Sequence, residues 1–566
     1  MVQDGPMGSA GGVAPGKAAA ATGSESLWPW RDAEPERRAP WAVLAGLMAL
    51  AAALRAIALN QQLWYDEITT LLDFVRTPLG HILTTYTSQN QHMLYSVLAR
   101  MAVVLFGDYP WTLRLPAAAF GVAAVPALYY CARLLTTRRE ALLACVLLTV
   151  SYHHVWFSQN ARGYTGLAFF TLVTTYFFIR GARGAEGAGL PDRKRRDAES
   201  AKPGAADGRA AARPYGNWVW YAVALALGMY THLTMGFVAA GHGLVYVWLV
   251  AAPFGFASLG FARDRRGKRA REARRLPGNA FAPLAGFVLA GVITAALYAP
   301  VVGDLARRTL GKEVNVGAVS EAVRAEWKNP LWLVVETVRG LGAGSAVAGF
   351  AAVTLGGLIV LAGLWSFLQQ NRYAVGLMVA PGLVTGAVMM ALGHNLWPRF
   401  FFFGIGFGML LIVRGAMVWA DAAARMMKRE VATGVKWGTA TVAMLLLASC
   451  FQLRAAYLYP KQDFAGAMTY VDAHQQPGDV VVLVGLTTIP YQRYYGRDWP
   501  SVETPTQLAA RRTPGHATWV LYTIPIYVQS RYPELWNILR SEFTTVKIFR
   551  GTMGGGEVYV CKAEKQ

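Results

Sequence analysis

His92-Met93-Leu94-Tyr95-Ser96-Val97-Leu98-Ala99-Arg100-Met101-Ala102-Val103-Val104-Leu105-Phe106-Gly107 is the stretch on which the arrangement of the whole chain turns. It is apolar but short, and it carries Arg100. Around it run eleven other apolar segments, at 40–58, 112–132, 140–157, 164–180, 217–231, 235–252, 281–301, 347–368, 373–393, 399–417 and 433–452. Each approaches the roughly 20 residues that carry a helix across a bilayer. If 92–107 does not span, four basic regions fall on the same side as Arg37-Arg38: Arg133/Arg138/Arg139, Arg180 to Arg213, Arg263 to Arg275, and Arg414 to Lys436. The third alone holds eight Lys/Arg against two acids. If 92–107 spans, those loops move to the face opposite Arg37-Arg38. Short loops rich in Lys and Arg stay cytoplasmic, so 92–107 reads as an amphipathic helix lying in the interface. Eleven spans follow, with the N-terminus inside, the C-terminus outside, and loops 60–111 and 303–346 facing out.

Composition fits a polytopic membrane protein. Of 566 residues, 54% are hydrophobic and 15% charged, and mean hydropathy is +0.30; a soluble chain carries about 25% charged residues. The net charge of +21 sits in the loops between spans, with no zinc-finger spacing and no long basic helix, which argues against a nucleic-acid partner. Cys131, Cys145, Cys450 and Cys561 are scattered and read as packing residues, not as a metal or redox pair. Residues 1–39, rich in Gly, Ala and Ser, read as a disordered cytoplasmic tail before an uncleaved first span.

The membrane domain then covers 40–452, and 453–566 forms a small extracytoplasmic α/β domain. In the latter the pattern predicts a helix from Asp463 to His474, strands at Val480 to Val484 and Trp519 to Tyr522, and a helix near Pro533 to Leu539. A closing strand pair, Val546 to Phe549 and Val558 to Cys561, is joined across Gly554-Gly555-Gly556. Pro477-Gly478-Asp479 is turn chemistry and not a phosphate loop.

Chemistry-bearing residues gather at the outer ends of the spans. Leu63-Trp64-Tyr65-Asp66-Glu67 follows the first of them. A carboxylate beside a low-dielectric slab has its charged form disfavoured, which suits it to accept a proton. The plainer reading is a helix cap, the acidic pair starting a helix over Ile68 to Val75, and the two readings can coexist. Arg162, in the outer turn Phe157-Ser158-Gln159-Asn160-Ala161-Arg162-Gly163-Tyr164, runs against the positive-inside rule. Asp66, Glu67 or a phosphate would hold it there; otherwise it is an interfacial arginine reaching for water.

His153 and His154 project about 100° apart on a helix, which suits packing better than shared ligation. At the mouth of the tenth span lies His394-Asn395-Leu396-Trp397-Pro398-Arg399-Phe400, and the planar fork of Arg399 suits a phosphate. Gly404, Gly406 and Gly408 read as close helix packing. Gln89-Asn90-Gln91-His92 offers neutral hydrogen-bonding groups for sugar hydroxyls, or is simply a polar loop. His232, closing the fifth span, is either a hydrogen-bonded structural residue or part of the site.

Taken together, these stretches resemble the GT-C class of membrane glycosyltransferases. The similarity is to the family of protein O-mannosyltransferases and lipid A aminoarabinose transferases (bacterial glycosyltransferase family 39-like). It is carried by Trp64-Tyr65-Asp66-Glu67, Phe106-Gly107-Asp108, Arg114-Leu115-Pro116-Ala117, Ser158-Gln159 with Ala161-Arg162 and Tyr164, and Pro398-Arg399-Phe400, in order over roughly 40–420. The resemblance implies an all-α GT-C-type membrane domain and a polyprenyl-phosphate-linked sugar donor reached from the outer leaflet of a bacterial cytoplasmic membrane. It implies transfer with inversion to a lipid, glycan or protein acceptor. The candidate set is Asp66 and Glu67 as catalytic residues, Arg162 and Arg399 for the donor phosphate, and Tyr65, His92, Gln159, Tyr164, His232 and His394 for substrate. Many bacterial relatives carry His-Pro-Pro where this chain has Gln91-His92-Met93, and often an acid where Asn160 stands. Glu67 and His92 are left as conceivable ligands for a divalent metal, and no metal or other cofactor is favoured. A lipid-sugar flippase would need ionisable groups deep in several spans, whereas here they sit at the outer ends. A non-catalytic subunit of envelope-polysaccharide assembly would leave Asp66 replaceable.

Overall fold

The computed structural model describes residues 39–88, 90–187, 216–255, 281–310, 346–392 and 396–564. Residues 1–38 of the expected disordered tail, the basic run Arg263 to Arg275, most of the expected outer loop 303–346, and His394 lie outside the described residues.

The chain begins with α1 (Trp41–Ala56), followed by the short α2 (Tyr65–Thr70), which runs into a π turn at Leu71–Val75. Then come α3 (Leu79–Thr84), α4 (Met93–Phe106), α5 (Pro110–Arg133), α6 (Arg138–Val150), α7 (Tyr152–Ser158) and α8 (Tyr164–Gly187). The middle of the chain forms α9 (Gly216–Thr231), α10 (Met235–Gly255), α11 (Ala282–Tyr298), α12 (Val302–Leu310), α13 (Ala346–Gln370) and α14 (Arg372–Ala391). A 3-10 turn at Pro398–Gly404 leads into α15 (Ile405–Met426), and α16 (Val431–Leu458) completes the membrane domain. Each of the eleven expected spans is met by helix. By length and composition, seven helices among the described residues are able to cross a membrane, and an eighth if α6 and α7 count as one bent span. The helices α1 and α9, with 16 residues each, reach only about 24 Å at 1.5 Å per residue, short of the ~30 Å hydrocarbon slab.

The expected span 140–157 is broken. Ser151 adopts an extended backbone, and its Oγ accepts the His154 N–H at 3.4 Å, ending α6 and capping α7, so the two helices meet at 57°. The segment 92–107 forms the 14-residue α4, with Met93, Tyr95, Ala99 and Val103 buried and Met101, Val104, Leu105 and Phe106 exposed. Arg100, the charge that made it ambiguous, donates to the Val75 carbonyl at 3.3 Å.

The C-terminal region carries α17 (Phe464–His474), α18 (Pro505–Arg511), α19 (Pro525–Arg531) and α20 (Pro533–Glu542) on a five-stranded sheet. Its strands are β1 (Val480–Val484), β2 (Ser501–Val502), β3 (Thr518–Thr523), β4 (Thr544–Phe549) and β5 (Val558–Ala563), in the order β2-β1-β3-β5-β4. β1 pairs in parallel with β2 and β3, while β5 pairs antiparallel with β3 and β4. Asp479 accepts from the Ala517 N–H and from Trp519 Nε1, both at 3.0 Å, so the Pro477-Gly478-Asp479 stretch is a turn that ties β1 to β3.

This sheet does not stand apart from the loop after α1. One buried cluster combines Leu63, Ile68, Leu71, Tyr95, Leu113 and Ala161 with Phe464, Val471, Leu483, Tyr491, Trp519 and Leu521. The membrane helices have their own core, in which Leu128, Leu148, Leu167, Tyr221, Val238, Phe407 and Leu410 are fully or nearly fully buried.

Candidate active site

The acidic pair divides in two. Trp64 immediately precedes α2, and the Glu67 carboxylate at the third helical position reaches back to the Trp64 N–H at 3.3 Å, as in a capping box. Glu67 is fully buried. Its Oε1 accepts from Arg114 Nε and from the Ala161 N–H, both at 2.8 Å, and its Oε2 from Arg114 Nη2 at 2.5 Å. Burial pushes this carboxyl up, but the Arg114 guanidinium, the Lys461 ammonium and the donated hydrogen bonds outweigh it and hold it below the usual carboxylate range. Glu67 thus pins the first loop to α5 and to the turn before α8.

One residue earlier on α2, about 100° around the helix, Asp66 points elsewhere. Its Oδ2 accepts from Arg162 Nη1 at 2.5 Å, with the aspartate side chain 21% exposed and the arginine 6%. Among the described residues Oδ1 has no hydrogen-bond partner. Behind the pair, Arg162 Nε donates to His92 Nε2 at 2.9 Å, and the His92 ring packs at 4.5 Å from that of His232 and 5.8 Å from that of Tyr164. With Nε2 accepting, the His92 proton sits on Nδ1, toward the backbone of Thr231. Burial, then His232 and Arg162, holds His92 well below its ordinary value. Burial, then Arg162 and Arg399, pushes His232 down to about 3. Both rings are therefore neutral, and Arg162 is the cation of this cluster. Gly163 makes the arrangement possible, because a Cβ there would lie 2.6 Å from the Thr231 carbonyl oxygen and 3.2 Å from His92 Nδ1.

Asp66 lines a cavity of about 990 Å³. Trp64, Trp156, Phe157, Asn160 and Tyr164 form its wall near the aspartate. Met378, Val379, Leu383, Ile405 and Met409, from α14 and α15, form an apolar wall, and Thr552, Met553 and Gly554 reach in from the C-terminal domain. Arg399, on the 3-10 turn, lines the same cavity. It is exposed, with its guanidinium 5.4 Å from the Trp397 ring and 5.7 Å from that of Phe400.

The structure therefore brings Asp66, Arg162, His92, His232 and Tyr164 into one cluster, and Asp66, Tyr164 and Arg399 onto one cavity. It places Glu67, Gln159 and Tyr65 otherwise. Gln159 is buried, and its Nε2 donates to the carbonyls of Arg55 and Ile57 at the end of α1. Tyr65 packs into the core shared with the C-terminal domain, its hydroxyl pushed up by burial and then by Asp66. The two conceivable metal ligands are engaged, Glu67 by Arg114 and Ala161 and His92 by Arg162. Among the described residues no three His, Cys, Asp or Glu side chains gather as a metal site.

Of the three expected packing glycines, only Gly406 abuts another helix, a Cβ there falling 3.0 Å from the Leu172 side chain. Arg114 and Lys461 carry parts the sequence reading left unassigned. Both are cations at the end of an apolar span, on the side expected to face out, so the rule that singled out Arg162 points to them too.

A comparison with curated protein sequences found no match. Among solved structures, the chain is similar to ArnT from Cupriavidus metallidurans bound to undecaprenyl phosphate, at 14% identity over 92% of this chain and 98% of that one, with a TM-score of 0.45. It is also similar to AglB from Archaeoglobus fulgidus in complex with an inhibitory peptide and a dolichol-phosphate (12%, 92% and 74%, 0.47). The Saccharomyces cerevisiae Pmt1-Pmt2 complex bound to the sugar donor aligns over less of each chain (17%, 47% and 34%, 0.34). Residues 91–189 match the family model described as dolichyl-phosphate-mannose-protein mannosyltransferase. That match takes in His92, Arg114, Gln159, Arg162 and Tyr164.

Proposed function

We propose that this protein transfers a sugar from a polyprenyl-phosphate donor to an acceptor at the outer face of a bacterial cytoplasmic membrane, with Asp66 as the general base. The observation that carries this reading is the shared cavity. A partly exposed aspartate with one uncommitted oxygen and an exposed arginine line the same space, one wall of which is made of apolar side chains from two membrane helices. The apolar wall suits a prenyl chain and Arg399 suits its phosphate. Asp66 Oδ1 takes the proton from the acceptor nucleophile as that nucleophile forms its bond to the anomeric carbon. The carbon–oxygen bond to phosphate breaks with its electron pair, and the charge left on the polyprenyl phosphate is met by Arg399. Arg162, engaged by Asp66 and His92 and not among the cavity-lining residues, orients Asp66. The aromatic wall of Trp64, Trp156 and Tyr164 suits the faces of a sugar ring.

The test uses the purified protein in detergent with a panel of radiolabelled undecaprenyl-phosphate hexoses and pentoses. Transfer or slow hydrolysis of one label is expected. Asp66→Asn should lower it by about 10²–10⁴-fold, the usual worth of a positioned base. Arg399→Ala should weaken donor binding and turnover together. Unchanged turnover in Asp66→Asn would refute the assignment.

A further inference from the structure

The residues at the root of the C-terminal domain reach into the cluster behind Asp66. Lys461 is buried, and its Nζ donates to the Gln159 carbonyl at 2.5 Å while lying 5.4 Å over the Trp156 ring. Gln159 opens the irregular turn that ends at Gly163 and carries Arg162. The adjacent Gln462, fully buried, accepts the Tyr65 N–H on Oε1 at 3.0 Å, at the first turn of the helix that carries Asp66. Its Nε2 donates to Thr523 Oγ1 at 3.1 Å and to the Gly556 carbonyl at 3.0 Å, both in the C-terminal sheet region. Two consecutive side chains therefore hold the two separate segments whose side chains meet as the Asp66–Arg162 pair.

The root itself is fixed from the other side. The Thr552 N–H donates to the Pro460 carbonyl at 2.8 Å and the Met553 N–H to the Lys461 carbonyl at 3.1 Å. At Gly551 a Cβ would fall 2.1 Å from the Lys461 carbonyl oxygen. Thr552 Oγ1 also accepts from Trp156 Nε1 at 2.9 Å.

We propose that the C-terminal domain acts as a clamp on the Asp66–Arg162 pair, with Lys461 and Gln462 as its positioning residues. A buried ammonium is costly and is retained only where its contacts repay it. Here burial lowers the group to about 7 against the pull of the Glu67 carboxylate, and its Nζ serves the Gln159 carbonyl in the irregular turn. Catalytic geometry tolerates errors of only about 0.5 Å, and the ion pair spans two segments that no continuous helix or strand joins. Neither Lys461 nor Gln462 touches the cavity, so their effect passes through the pair they hold. The proposal rests on Asp66 being the base.

Amide hydrogen exchange and turnover, measured on full-length wild type, Lys461→Met and Gln462→Met, test it. Exchange at Tyr65 and over 159–162 should quicken by at least about tenfold in Lys461→Met. Its kcat should fall by at least about tenfold with donor KM within about twofold of wild type. In an Arg162→Lys background the same substitution should cost less than about twofold more, because residues acting as a unit are not additive. Unchanged exchange at both segments overturns the clamp. So does exchange that quickens equally through α5 and α8, or quickened local exchange with unchanged kcat. If Lys461→Met does not fold, Gln462→Met carries the same reading at Tyr65. If wild type transfers no label from any donor, the proposed activity falls, and the exchange arm still decides the clamp.

Discussion

At Glu67 the carboxylate accepts twice from Arg114 and once from Ala161, with Lys461 close enough to be felt. Removing its charge leaves two buried cations uncompensated, so Glu67→Gln is expected to cost about 3–5 kcal/mol, read as a lowered unfolding midpoint of the purified protein. The sign with pH follows from the lowered carboxyl. A group held below its unfolded value contributes stability that is present above that value, near 4.5 here, and is lost as pH falls through the folded value. Wild type should therefore lose more thermal stability than Glu67→Gln between about pH 5 and pH 3; equal losses would contradict the burial assigned to this ion pair. The acidic pair was legible as special because charge at a membrane boundary needs a reason. Which of the two residues stayed available was not, since the choice depends on Arg114 arriving from another helix. Likewise Gln159, polar and in the right turn, reads as a substrate contact until the end of α1 claims its amide.

Among the helices, apolar length was readable because lipid imposes it, while breaks and crossings were not. The run 140–157 stays apolar through Ser151, so nothing in its composition announces the 57° bend. That bend sets α7 at the cavity, where His153, Trp156 and Phe157 line the wall. A close helix crossing is similarly hidden. Gly415 on α15 faces α13, where an added Cβ would lie 1.8 Å from the Ile359 carbonyl oxygen, and Gly363 on α13 faces back, 2.1 Å from that of Leu411. Small residues let backbones approach in this way inside a membrane, but glycines are frequent in spans and only the partner helix shows which ones matter. A backbone carbonyl cannot swing aside as a flexible side chain can, so Gly415→Val should force α13 and α15 apart. A loss of about 1–3 kcal/mol, the usual price of overpacking, would appear as early aggregation in heated size-exclusion runs. Gly404→Val, which meets nothing within 4 Å, should leave those runs unchanged.

For the molecule as a whole, the site matters only on the side of the membrane it faces. A cavity open to the cytosol would have nucleotide sugars at hand and no need of a lipid phosphoester. In the proposed orientation the far end of α15 is inside, and with it Arg425, whose side chain is 74% exposed. Glu503, exposed on the C-terminal domain, then lies outside with the cavity, because that domain shares its core with the loop that carries Asp66. The domain's strands could be read from local apolar runs, while its docking could not. Beside the shared apolar core, the docking uses single polar contacts such as Gln62 Nε2 to Asp463 Oδ1 at 2.7 Å and Arg493 to Asp73 at 2.8 Å, which leave no periodic trace. In a background where the exposed Cys450 is replaced by serine, Glu503→Cys should react with a membrane-impermeant maleimide in intact spheroplasts. Arg425→Cys should react only after permeabilisation. The reverse pattern would turn the cavity toward the cytosol and remove the chemical reason for a polyprenyl-phosphate donor.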